Sequence, residues 1–196
     1  MRRRQELQML TGELLTRWTA RVALALYVLG LAVRVRGAGH QPRLDMARLF
    51  WTGGCLAFLL HTTSAFQFYH HWSHRTVYEA TARRTAEVVG LDWGGGLYAN
   101  YGFAAVWTAD VCWWWLAPGR YLARPRGLEW ALQGFLGFMA FNATVVFGAG
   151  AVRWIGMAAC LFLAAVLGYS WCCRGDASRQ SRDRADPAAA ADRGRT

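Results

Sequence analysis

The sequence contains no lysine, and all 22 of its basic residues are arginine. This usage accompanies an alanine- and glycine-rich composition and indicates a GC-rich coding sequence more than a need for guanidinium chemistry. Arginines that flank apolar segments also anchor membrane proteins at anionic headgroups. The formal net charge of +10 is therefore weak evidence for nucleic-acid binding, and we expect no nucleic-acid partner.

Charge is absent from long stretches of the chain. Hydrophobic residues make up 55% of the sequence and 11 residues are tryptophan, more than an ordinary soluble domain carries. No charged residue lies between Arg48 and Arg75, and this run exceeds the roughly 20 residues that a transmembrane helix needs. The composition disfavours a soluble globular protein and predicts an integral membrane protein that contacts the lipid bilayer.

The five cysteines form neither a CxxC pair nor a Cys/His zinc spacing. Cys55, Cys112 and Cys160 lie inside apolar runs, where cysteine usually acts as a small buried hydrophobe. Cys172 and Cys173 lie at the end of a predicted helix. No small-residue cleavage pattern follows the first apolar segment, so we expect the first helix to be retained.

Apolar runs and helical periodicity predict an all-α, polytopic transmembrane bundle. We expect five spans, at about residues 18–36, 46–68, 97–116, 128–148 and 152–171. The number falls to four if the first helix is only interfacial, because Arg21 and Arg34 bracket a short apolar segment. These spans form a transmembrane domain of residues 1–173. The charged tail at 174–196 is expected to be disordered.

The second helix is expected to extend beyond the membrane. No Gly or Pro lies between Ala57 and Val89, and charges of alternating sign recur at four-residue steps from Arg75 to Glu87. We predict a helical extension over residues 69–89, a cap at Gly90 and a glycine-rich turn over 92–96. Three tryptophans at 113–115 predict an interfacial aromatic belt at the end of the third span.

The distribution of arginines favours one orientation. In a five-span arrangement, the larger group of arginines lies in the shorter loops, on the side of the carboxyl terminus. The positive-inside rule places that side in the cytoplasm. The sequence thus predicts a multi-pass protein of the cell membrane, taken as a bacterial inner membrane, with its histidine-rich end outside the cytoplasm.

Four of the five histidines, His61, His70, His71 and His74, fall within fourteen residues. On one continuous helix, the last three share about a third of the circumference and can chelate a transition metal. Asp92 or water would complete the site, and Cu and Zn suit imidazole ligands. Two other interpretations stay open: residues that mark the water boundary of the membrane, and a proton-responsive role.

The number and positions of the histidines test two kinds of iron site. A bis-histidine haem usually draws its ligands from two helices, so haem would need one histidine with another ligand type, or a second subunit. The string over residues 70–74 faintly resembles a histidine box of the membrane di-iron hydroxylases and desaturases. The remaining histidines are too few for that class.

A second set of polar residues lies deeper, on three different spans. His61, Asp110 and Asn142 lie about 15, 20 and 9 Å from the histidine end at 1.5 Å per residue, and they form a candidate cofactor site, such as a proton or quinone path. With no basic residue at its depth, Asp110 is expected to be protonated, paired with a residue such as Gln133, or facing a wet cavity. The alternative is helix–helix hydrogen bonding that also involves Asn100.

Three classes of function remain open from the sequence. The first is a redox or metal-handling membrane protein, and the second is a non-enzymatic scaffold or assembly subunit. The third is a small transporter, which glycine pairs such as Gly53 and Gly54 support only slightly, because small residues also permit close helix packing. No motif assigns catalytic residues, and a homo-oligomer or a partner within a membrane complex stays open.

Overall fold

The computed structural model describes residues 2–36, 41–166 and 169, which are helical almost throughout and contain no strand. The all-α prediction is confirmed for this part of the chain. Cys172, Cys173, the end of the predicted fifth span and the predicted tail lie outside it. The described elements are α1 (Arg2–Arg36), α2 (Gln41–Phe68), α3 (His74–Val89), α4 (Gly96–Leu116), α5 (Pro118–Leu122), α6 (Arg126–Phe141), a π-helical segment (Asn142–Val146) and α7 (Ala151–Val166).

Two of the described helices are long and apolar enough to cross a membrane. They are the Leu10–Arg36 portion of α1 and the whole of α2, whereas α7 is apolar but shorter. These helices weakly support membrane association. The five-span arrangement stays a prediction.

The helices α1 and α2 form an antiparallel hairpin whose backbones approach closely at small residues. A Cβ added at Gly30 would lie 3.3 Å from the Trp51 amide nitrogen, and one at Gly54 would lie 3.3 Å from the Tyr27 amide nitrogen. Such close approach increases the van der Waals contact between helices. The glycines of α2 therefore serve packing.

Aromatic rings join α4 to this hairpin. The rings of Tyr27, Trp51 and Trp107 lie 5.3 to 5.6 Å apart, and Phe103 packs edge-on against Phe58 at 4.7 Å. Aromatic pairs at these distances contribute about 0.5–1.5 kcal/mol each beyond the area they bury. The core of the protein therefore lies where α1, α2 and α4 meet.

The predicted helical extension over residues 69–89 is wrong at its start. The helix α2 ends at Phe68, and the chain turns through His71 and Trp72, whose φ angles are 46° and 58°. Ser73 then caps α3, its hydroxyl oxygen accepting from the Thr76 amide at 3.3 Å. This cap satisfies a helix N–H that has no partner within the helix, and so stabilises a new start. The predicted cap at Gly90 is confirmed, with φ 78°.

The predicted aromatic belt at 113–115 is only partly formed. Trp114 is 3% exposed and stacks on Tyr121 with ring centroids 4.6 Å apart. It is therefore a core residue, because α5 folds back against the end of α4. Trp115 is exposed, and its Nε1 donates to Thr52 Oγ1 at 2.9 Å.

The helix α6 continues into the π-helical segment, which ends before a turn at Gly150. The helix α7 then packs back onto this segment at a small residue. A Cβ added at Gly156 would lie 2.5 Å from Thr144 Oγ1. A larger side chain at Gly156 would push α7 away from the π-helical segment.

Candidate functional site

Asp110 on α4 lies at the centre of a buried polar network. It is 2% exposed and accepts hydrogen bonds from Trp51 Nε1 at 2.9 Å, Tyr121 Oη at 2.9 Å and Arg124 Nη1 at 2.5 Å. The expectation that no basic residue reaches its depth is wrong, because α5 folds back and the long arginine side chain reaches the carboxylate. Gln133 is not its partner.

Glu129 extends the network to α1. It accepts from Arg34 Nη2 at 2.7 Å and also from Arg124 Nε, and Arg34 Nη1 donates to Tyr121 Oη at 3.1 Å. Two guanidinium groups thus balance two carboxylates, which a buried ionic network requires. We call Arg34, Asp110, Tyr121, Arg124 and Glu129 the ion cluster. With Trp51, it connects α1, α2, α4, α5 and α6.

Two members of the ion cluster keep their protonation state near neutral pH. Burial alone would lower the pKa of Arg124, but the hydrogen bond to Glu129 and the nearby Tyr121 and Asp110 raise it above the ordinary arginine value. Burial raises the pKa of Tyr121, against the opposing charge of Arg34. A charged guanidinium and a neutral phenol both donate to Asp110. The ion cluster therefore has a structural role and holds together the helices that it connects.

The three histidines of the predicted metal site do not share one helix. His70 and His71 lie in the turn after α2, and His74 is the first residue of α3. The ring of His74 lies 5.9 Å from that of Tyr98 and 6.0 Å from that of Tyr101 on α4. The metal hypothesis for His70, His71 and His74 required a continuous helix, and the break at residues 69–73 removes that geometry.

The metal prediction also included Asp92, which lies exposed in the connection between α3 and α4. Within the described part of the chain, no group of three or more His, Cys, Asp or Glu residues is placed to hold a metal ion. The structure therefore gives the predicted site of three histidines and Asp92 no support. Burial lowers the pKa of His70, and the charge of His71 lowers it further.

His61, Asp110 and Asn142 make their hydrogen bonds in three different places. His61 Nδ1 lies 2.9 Å from the Thr16 carbonyl oxygen on α1, and because that oxygen can only accept, Nδ1 donates. Asn142 Nδ2 donates to the Phe138 carbonyl oxygen on its own helix at 2.8 Å. A shared cofactor role for these three residues stays a prediction.

His61 also lines a cavity of about 1080 Å³. Its walls come from α1, α2, α4, α6, the π-helical segment and α7, and most of the lining is apolar. Among its lining residues, sequence reasoning named His61 and Asn100 as polar candidates and Arg21 only as a boundary of the first apolar segment. Local periodicity cannot reveal a cavity assembled from six elements.

Two polar atoms of cavity-lining residues are buried without a hydrogen-bond partner in the part of the chain that the structure describes. They are the indole Nε1 of Trp107 and the hydroxyl oxygen of Thr16. Buried polar groups in native proteins are nearly always satisfied, so each exception calls for an explanation. Both atoms are inaccessible to water, so they lie within the packing of the wall and not on the open surface of the cavity.

Comparison with known proteins does not assign a family. No protein-family model, no curated protein and no solved structure matches the chain. Inferences about function consequently depend on the geometry of the residues themselves.

Proposed function

We propose that the chain is a multi-pass membrane protein that holds a lipid-like molecule in the cavity. The observation that carries this proposal is the cavity itself, whose mostly apolar walls come from six elements and include the side chains of Arg17 and Arg21. Apolar walls suit an acyl chain, and a few polar groups in such walls fix the orientation of a ligand.

The size and the walls of the cavity support the same conclusion. Ligand pockets usually measure about 300–1,000 Å³, are mostly apolar and contain a few polar groups that fix orientation. At about 1080 Å³, this cavity is slightly larger than that range. Ala143 and Thr144 reach its wall from the π-helical segment, and π-helical turns occur frequently at functional sites.

The proposal includes five spans in a cell membrane, taken as a bacterial inner membrane, with the carboxyl terminus in the cytoplasm. The lipid bilayer would then be the source of the bound molecule. The metal-handling hypothesis is not carried further, because its three histidines lie on both sides of a helix break.

Photolabelling tests the proposal. The protein is placed in lipid nanodiscs with a monoacylglycerol that carries a photoreactive diazirine on its acyl chain, then irradiated, digested and mapped by mass spectrometry. We expect adducts in peptides of α1, α6 and α7 that unlabelled monooleoylglycerol displaces in a saturable manner. Adducts from the surrounding bilayer will not saturate.

Two substitutions of alanine by tryptophan, one in the cavity lining and one outside it, test where the adducts form. Ala143→Trp fills the cavity and should abolish the saturable adducts, whereas Ala105→Trp lies on an exposed part of α4 away from the cavity and should keep them. Equal saturable labelling in the two variants, or none in the unmodified protein, would show that the cavity holds no such molecule.

A further inference from the structure

We infer that the ligand carries an anionic phosphate beside its acyl chain, the chemistry of an anionic phospholipid. This inference rests on the proposed function and names the class of molecule that the same cavity takes. Arg17 and Arg21 are the charged arginines of the lining, and none of the described lining residues carries a carboxylate. The cavity is therefore electrostatically complementary to an anionic headgroup.

The two arginines differ in whether a carboxylate already neutralises the charge of the guanidinium. Arg17 forms an ion pair with Glu13, one turn earlier on α1. The guanidinium of Arg21 lies 5.2 Å from the ring centroid of Trp18 and has no carboxylate partner among the described residues. A cation–π contact holds a guanidinium in place without cancelling its charge. Arg21 is thus the cation available to a phosphate.

Competition for the photolabelled site tests the phosphate contact. Two competitors share one oleoyl glycerol ester and differ in the phosphate: 1-oleoyl lysophosphatidic acid carries it, and monooleoylglycerol does not. Hydrogen bonds to charged groups are stronger than neutral ones. We expect lysophosphatidic acid to compete about tenfold or more better than monooleoylglycerol.

Substitution of Arg21 tests the phosphate contact. Arg21→Gln should reduce the preference for lysophosphatidic acid over monooleoylglycerol to near unity while monooleoylglycerol still competes. Arg36→Gln removes the same charge at the other end of α1, outside the lining, and should leave the preference intact. A preference that survives Arg21→Gln, or that Arg36→Gln removes equally, would overturn the inference.

The two proposals fail in different ways. If the photoreactive monoacylglycerol gives no saturable labelling, the proposed function itself is wrong. If it labels the cavity but competitors with and without phosphate are equivalent, the cavity binds lipids and only the phosphate assignment is wrong.

Discussion

Asp110 is the residue on which the ion cluster depends most directly. Asp110→Asn would remove one of the two carboxylates that pair with Arg124, a residue that is 8% exposed. Removing one partner of a buried ion pair typically destabilises a protein by about 3–5 kcal/mol. We expect a loss near the lower value, because Glu129 still pairs with Arg124, measured as a fall in the denaturation midpoint of the purified protein in detergent.

A surface ion pair provides the control for that substitution. Glu79 pairs with Arg75 on α3, and both side chains are largely exposed, so Glu79→Gln should leave the denaturation midpoint unchanged. In the ion cluster, the double change Asp110→Asn with Arg124→Gln should cost less than the sum of the two single changes. Strict additivity would show that the two residues are not energetically coupled.

His70, in the turn after α2, should make the stability of the protein sensitive to pH. Its pKa lies below the ordinary value of 6.5 because of burial and the charge of His71. The unfolded chain therefore binds a proton more readily than the folded one, and stability rises with pH. Its contribution is fully present above pH 6.5 and is lost as pH falls through the lowered pKa.

Thermal unfolding at several pH values measures this effect. The melting temperature should fall between about pH 7 and pH 5, and His70→Gln should flatten that dependence. His71→Gln is the matched control, since His71 is an exposed neighbour in the same turn. It should leave most of the dependence in place, and an identical flattening by both substitutions would contradict the assignment to His70.

Single residues also show where sequence reasoning reaches its limit. Asp110 could be identified as unusual because an ionisable residue inside an apolar segment is itself a signal. Its partner, Arg124, could not be identified from the sequence. Arg124 lies fourteen residues downstream, and a depth calculated for straight helices does not include the way α5 folds back. His61 was identified from its type alone, and its bond to Thr16 depends on how α1 and α2 pack.

At the scale of helices, the two ends of α3 were not equally predictable. Gly90 signals its end, because a left-handed residue is needed there and glycine adopts that conformation without strain. Its start depends on Ser73, and a capping bond contributes only about 1 kcal/mol within an otherwise uninterrupted helical pattern. The charges at four-residue steps begin directly after the break, and the apolar segment of α2 ends directly before it. Periodicity therefore predicts a helix on both sides of the turn but does not locate the turn.

Gly54 tests the close packing of α1, α2 and α4. A Cβ at this position would lie 3.0 Å from Trp107 Cζ2 and 3.3 Å from the Tyr27 amide nitrogen. Gly54→Ala should therefore destabilise the protein by about 1–3 kcal/mol, the usual cost of overpacking. Detergent-solubilised protein would be compared by its denaturation midpoint.

Gly134 on α6 is the matched control, because nothing lies within 4 Å of a Cβ added there. Alanine favours a helix over glycine by about 1 kcal/mol, so Gly134→Ala should be neutral or stabilising. If both substitutions stabilised the protein, the backbone approach at Gly54 would be looser than the structure describes.

At the scale of the whole molecule, the helix content could be predicted from the composition, but the way in which the helices pack together could not. Apolar runs predicted the helices because burial in lipid or protein requires backbone groups to be satisfied within each segment. The cavity depends on the relative placement of six elements, and residues such as Thr16 and Trp107 become significant only when a neighbour fails to supply a partner. No local pattern carries that information.

The number of membrane crossings determines which connections between helices lie on the same side of the membrane. Reporter fusions in a bacterial host measure the side of each connection. In the five-span arrangement, the connection before α4 and the turn before α7 lie outside the cytoplasm. Alkaline phosphatase fused after Trp93 or after Gly150 should therefore be active. The connection at α5 lies in the cytoplasm, so a fluorescent protein fused after Gly119 should fluoresce.

The amino terminus distinguishes five spans from four. A reporter placed before α1 should lie outside the cytoplasm if Leu10–Arg36 crosses the membrane, and inside if that helix lies only at the interface. Fusions after Trp93 and Gly119 that report the same side would mean that α4 does not cross. The cavity, walled in part by α4, would then not be enclosed by transmembrane helices alone.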